Sequence, residues 1–140
     1  MPTIIQDTTP DVAMMRPFVP AKDFDTSLRF YTELGFRPFM LGDKLASLHL
    51  GQFAFILQDA YVKDWADNFM MHLLVPKLDA WWERIHGLNL CDRYDITPPA
   101  EPKLQSWGLV VSYVWDPTGV LWHFAQDGDE VVASAKIEAA

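Results

Sequence analysis

The 140-residue chain is half hydrophobic, with 14% aromatic and only 21% charged residues, enough apolar surface to order one domain and to exclude a disordered chain. Eleven Lys and Arg against nineteen Asp and Glu give a formal charge of −8, with the basic residues scattered singly, which disfavours nucleic acid and anionic membranes as partners; a neutral or cationic small molecule suits the charge better, though acidity more often serves solubility alone. No stretch approaches the ~20 apolar residues of a membrane span; the opening MPTIIQDTTPDVA lacks the order of a secretory signal, and the lone Cys91 forms no internal disulfide, which points to the cytoplasm.

In chain order, the pattern predicts a strand over 14–20, a helix over 24–34 and strands over 37–41, 44–49 and 52–58. Residues 59–68 read as a linker. A second set follows: a strand over 69–75, a helix over 78–87, and strands over 92–95, 108–115 and 120–126. Residues 1–12 and 127–140 read as tails. Asp23, Asp25 and Asp79 sit where helices start and are explained as caps, and Gly35 and Gly87 mark helix ends.

The two sets are copies of one another. Phe18 to Tyr31 lands on His72 to Ile85 at an offset of 54, with Phe24 on Leu78 and Asp25 on Asp79. Gly51-Gln-Phe-Ala-Phe-Ile-Leu-Gln-Asp59 matches Gly119-Val-Leu-Trp-His-Phe-Ala-Gln-Asp127 at an offset of 68. The change of offset places about 14 extra residues in the second copy, assigned to the loop 96–106 with its Thr97-Pro-Pro-Ala-Glu-Pro102. The result is one α+β domain over 1–140, made of a βαβββ module at 14–58 and another at 69–126, pairing into a curved mixed sheet with helices outside.

Catalytic signatures are few. There is no Gly-rich phosphate loop, Ser-His-Asp order or carboxylate pair. Cys91 reads as a buried thiol and His86 as a surface residue at a helix end. Six tryptophans are the stronger signal. Of Trp81 and Trp82, one packs on the sheet and the other is partly exposed; Trp115 and Trp122 are expected to face the helices. Trp107 differs in ending a proline-rich loop just before a strand.

Tandem βαβββ modules with these motifs resemble the vicinal oxygen chelate superfamily of glyoxalases, extradiol dioxygenases and fosfomycin- and bleomycin-resistance proteins. The likeness covers residues 14–127 and is nearest to the bleomycin-resistance type. It is carried by Asp23 to Phe36, Asp67-Asn68, Leu78-Asp79, Trp107-Gly108 and Asp116-Pro-Thr-Gly-Val-Leu-Trp-His-Phe124. In metal-dependent members four strands supply ligands, and the repeat maps those positions onto Arg16, Phe55, Met70 and His123. One imidazole among a guanidinium, a phenyl ring and a thioether does not hold a hard divalent ion. A two-residue slip brings His72 beside His123, with His49 as a conceivable third donor. The resemblance therefore implies a metal-independent, homodimeric protein with no cofactor, binding a planar and preferably cationic small molecule near the subunit interface. Trp107 would stack on it, His123 would give a polar floor, and Phe39, Phe55, Met70, His72 and Arg16 would line the groove. The alternative is a lyase or dioxygenase with a displaced metal at His72 and His123. Arg16 conflicts with a cationic ligand, since it favours an anionic group.

Overall fold

The computed structural model describes residues 8–129, so the outer parts of both expected tails, 1–7 and 130–140, lie outside the described residues. The first module contains β1 (Phe18–Ala21), α1 (Phe24–Leu34), β2 (Arg37–Gly42), β3 (Leu45–Leu50) and β4 (Phe53–Asp59). The second contains α2 (Lys63–Asn68), β5 (Met70–Leu74), α3 (Leu78–Gly87), α4 (Leu90–Tyr94), β6 (Lys103–Leu104), β7 (Leu109–Trp115) and β8 (Leu121–Asp127). Sheet 1 runs β1-β4-β3-β2 and sheet 2 runs β5-β8-β7-β6. In each, the outer first strand is parallel to its neighbour and the other pairs are antiparallel. The repeat read from the sequence is thus a repeat of topology, and the α+β architecture is the expected one. Hydrogen bonding divides the mixed sheet into two halves, one per module.

Local chemistry accounts for the shared part. Asp23 accepts from the Thr26 amide at 3.1 Å to cap α1, and Gly35 ends it at φ 134°, a conformation open to glycine. Between them Phe24, Ser27, Phe30, Tyr31 and Leu34 repeat at helical spacing and are all buried. The caps of α3 come from elsewhere. Gln126 on β8 accepts from the Leu78 amide at 2.9 Å and donates to the Pro76 carbonyl at 2.8 Å. Arg84 on α3 donates to the carbonyls of Leu34 and Glu33, closing the end of α1.

Four expected segments differ, one of them the loop expected over 96–106, which contains β6. The first strand starts at Phe18 rather than 14, and the 59–68 linker contains the short helix α2. The strand expected over 92–95 is the helix α4. Its Leu90 and Tyr94, four residues apart, are both buried, and Tyr94 packs edge-on against Phe30 at 5.3 Å. Asn89 and Asp95 bracket it in left-handed conformations. The extra residues of the second module therefore begin straight after α3, earlier than 96. Between α3, α4 and Pro98-Pro99 they leave a cleft of about 310 Å³.

The backs of both sheets share one core. Tyr31, Phe36, Phe55 and Trp122 meet with ring centroids 4.9 to 5.7 Å apart. A polar chain runs through them: Trp122 Nε1 donates to the Tyr31 hydroxyl at 2.8 Å, which donates to Asp116 Oδ2 at 2.5 Å. Asp116 Oδ1 accepts from the amides of Thr118, Gly119 and Val120, each at 2.9 Å. This turn, Asp116-Pro-Thr-Gly119, is thereby locked to α1. Burial pushes the Asp116 carboxyl from 3.8 up to about 6, and burial likewise holds the Tyr31 hydroxyl well above its usual value.

Candidate functional site

With the backs joined, the front of each sheet turns away from the shared core. Strand register assigns the fronts, because residues directly opposite in a sheet share a face. On sheet 1 one row is Phe18, Ile56, Ser47 and Phe39, and the next contains Ala54, His49 and Arg37. Arg16, two residues before Phe18, extends the same alternation. Its Nη1 donates to Ser47 Oγ at 2.9 Å, and Ser47 Oγ lies 2.7 Å from His49 Nε2. The Phe39 ring, 53% exposed, meets the His49 ring at 4.8 Å.

On sheet 2, His72 and His123 stand level on neighbouring strands with ring centroids 5.8 Å apart. Tyr113 stands opposite His123, its ring edge-on at 4.9 Å, and Trp115 follows two residues along the same face. Met70 (62% exposed) and Leu74 flank His72. His123 Nε2 is buried without a hydrogen-bond partner, and burial, then the neighbouring His72, lowers its pKa. The Tyr113 hydroxyl donates to Gln105 Oε1 at 3.3 Å. This ties the front to the β6–β7 turn, on which Trp107 stands 58% exposed.

Of the expected lining residues, Arg16 and Phe39 are on the front of sheet 1, while Met70, His72 and His123 are on that of sheet 2, with Trp107 at its rim. Phe55 is on neither. It is 1% exposed and lies in the core behind sheet 1. The one-groove arrangement of Phe39 and Phe55 with His123 is therefore not formed within a chain. Trp122 faces the helices as expected, but Trp115 is on the opposite face, beside Tyr113. Trp81 packs on Phe124 at 5.3 Å, while Trp82 is partly exposed beside His86.

Phe55 was misplaced for a definite reason. The Gly and Gln-Asp ends of β4 and β8 align at an offset of 68, yet the back-facing residues Phe55 and Trp122 correspond at 67. One residue reverses the face of a strand. Tyr113, Ser47 and Phe18 carry no signal of their own in the sequence, and Trp115 is expected there on the opposite face. Alternation outward from His123 would have found Tyr113 and Trp115 had the β7–β8 register been known.

A metal of the kind bound by related enzymes fits poorly. Among the described residues no group of three His, Cys, Asp or Glu side chains converges. His72 and His123 are two imidazoles without a carboxylate, and His49 stands on the other sheet's front. Two neutral nitrogens fall short of the three or more donors that a hard divalent ion takes.

The duplicated βαβββ chain, with one four-stranded mixed sheet per module, is the architecture against which relatives are found. The sequence model of the glyoxalase/bleomycin resistance protein/dioxygenase superfamily matches residues 12–124, and the chain belongs to that superfamily. A bleomycin-binding protein in complex with bleomycin is similar in structure, with a TM-score of 0.70, 21% identity, and 83% of this chain and 99% of that one covered. The bleomycin-binding protein of Streptomyces verticillus with copper(II)-bleomycin superposes at 0.69 with 21% identity over 83% and 97% of the two chains. A lactoylglutathione lyase from Agrobacterium tumefaciens is similar at 0.62 and 17% identity, over 84% and 95%. No curated protein sequence is a significant match. Among the described residues no helix is long and apolar enough to cross a membrane.

Proposed function

We propose that the protein is a homodimeric, metal-independent binding protein of the bleomycin-resistance type, acting in the cytoplasm. It would hold a planar small molecule between the front of sheet 1 in one subunit and the front of sheet 2 in the other. The observation that carries this reading is the 5.4 Å contact between Phe55 and Trp122. It sets the two fronts on opposite sides of a shared core, which supports a groove completed by a second subunit. Phe18, Phe39, Met70, Leu74 and Trp107 are exposed on those fronts and their rim, apolar surface that a partner subunit would cover. A second copy covers them while keeping a groove for a ligand. Trp107 stacks on the planar part, and His123 Nε2 supplies an unpaired polar atom at the floor. The similarity to bleomycin complexes supports a flat heteroaromatic ligand.

Sedimentation of the purified chain and a tryptophan-fluorescence titration with bleomycin test the proposal together. The expected result is a dimer that binds bleomycin, with Trp107→Ala weakening binding at least tenfold and leaving the melting temperature within a few degrees. Unchanged affinity in that variant would sink the pocket assignment. The levelled His72 and His123 favour a second reading, a lyase or dioxygenase with a displaced metal. Near-stoichiometric Mn, Fe, Ni or Zn per chain, lost in the double alanine variant, would replace binding with that reading.

A further inference from the structure

The net charge of −8 suggests a cationic ligand, but the charge on the front of sheet 1 has the opposite sign. Its strand residues include Arg37 and His49, Arg16 joins them from the edge, and none of the front-facing strand residues is acidic. Three cations elsewhere are paired with carboxylates: Lys44 with Asp25, Lys63 with Asp67 and Arg93 with Glu33. Arg16 and Arg37 have no carboxylate partner among the described residues. Sheet 2's front adds His72 and His123, with one acid, Asp127, at the far end of β8.

Arg16 is also held in place. Ser47 Oγ takes one guanidinium hydrogen at 2.9 Å and is itself fixed by His49 at 2.7 Å, while Phe39 braces the His49 ring. Five N–H donors less one leave about four on a planar fork, the geometry that grips a carboxylate by two parallel hydrogen bonds. Ala54, the small residue between Arg16 and His49 across the sheet, leaves room above that row.

We propose that the pocket selects a planar aromatic carboxylate, with Arg16, positioned by Ser47 and His49, receiving the anionic group and the aromatic body lying against Phe39. This rests on the binding-pocket reading above and names its ligand class. Long-range attraction by the acidic surface would then not guide the ligand; the fixed guanidinium decides the sign locally.

The test titrates the full-length protein calorimetrically with 2-naphthoate, 2-naphthylmethylamine and 2-naphthalenemethanol, three ligands sharing one ring system. The expected result is naphthoate at least tenfold tighter than the amine, with that preference removed in Arg16→Gln and the variant's melting temperature as the folding control. Ser47→Ala should reduce the preference severalfold by freeing Arg16. An amine bound as well as or better than naphthoate, or a preference that survives Arg16→Gln, overturns the carboxylate assignment and leaves the pocket standing. Failure of all three ligands to bind overturns the pocket reading as well. If Arg16→Gln does not fold, the ranking of the three ligands on the unmodified protein decides the matter alone.

Discussion

The backs and the fronts of the two sheets are built from similar residues and behave differently. On the backs, Phe55 and Trp122, with Tyr31 of α1 packed on them, are buried and their polar atoms are satisfied: indole to hydroxyl to carboxylate to three backbone amides. On the fronts, Phe39 and Met70 are more than half exposed, and His123 Nε2 has no partner. An aromatic residue alone does not reveal a binding surface; the state of the polar atoms around it does. A completed network holds a fold together, whereas unpaired donors and exposed rings are capacity left for another molecule.

The sharpest way to break this contrast is a pair of truncations. Phe55→Ala should cost about 3–5 kcal/mol in urea unfolding, as for a fully buried ring, and Phe39→Ala about 0.5 kcal/mol or less. Equal costs would mean that the front is packed in the free chain. Tyr31→Phe comes next. It leaves Asp116 Oδ2 and Trp122 Nε1 buried and unpaired, for an expected loss of about 2–3 kcal/mol with an unchanged denaturant slope.

The smallest effects are in pH, and they run in opposite directions on the two faces. The Asp116 carboxyl titrates near 6 in the fold and at 3.8 unfolded, so the unfolded chain releases that proton first. Its contribution is therefore full below about pH 4 and declines as pH rises toward 6. Asp116→Asn should remove that decline from a series of melting curves. His123 has a lowered pKa, so the unfolded chain takes up its proton first, and stability falls as pH drops through and below the ordinary histidine range. Histidine NMR should find His123 titrating below the ordinary histidine range, with His72→Gln moving it part of the way back up. A His123 that titrates normally would remove the case for a desolvated floor on sheet 2.

Much of the architecture was legible because it depends on near-neighbour chemistry. Asp23 caps α1, Gly35 closes it, and the Asp116-Pro-Thr-Gly turn enters β8, all within a few residues of where the sequence points. The strand at 92–95 failed because α4 is decided by Tyr94 reaching across to Phe30, Arg29 and Glu33 in the other module. No local pattern reports that contact. Of the residues expected to line a groove, Arg16, Phe39, Met70, His72, Trp107 and His123 lie on the fronts or their rim, and Phe55 does not.

The sequence by itself determined the duplication, the helices, the strand-turn alternation and the residue types available for binding, because each follows from spacing along one stretch of chain. Only the tertiary structure decided which face each strand turns to the core. That choice hangs on a register of a single residue, and it sent Phe55 inward and Trp115 outward. It also decided that the fronts face away from the core, because the apolar backs bury against α1, α3 and one another around Trp122.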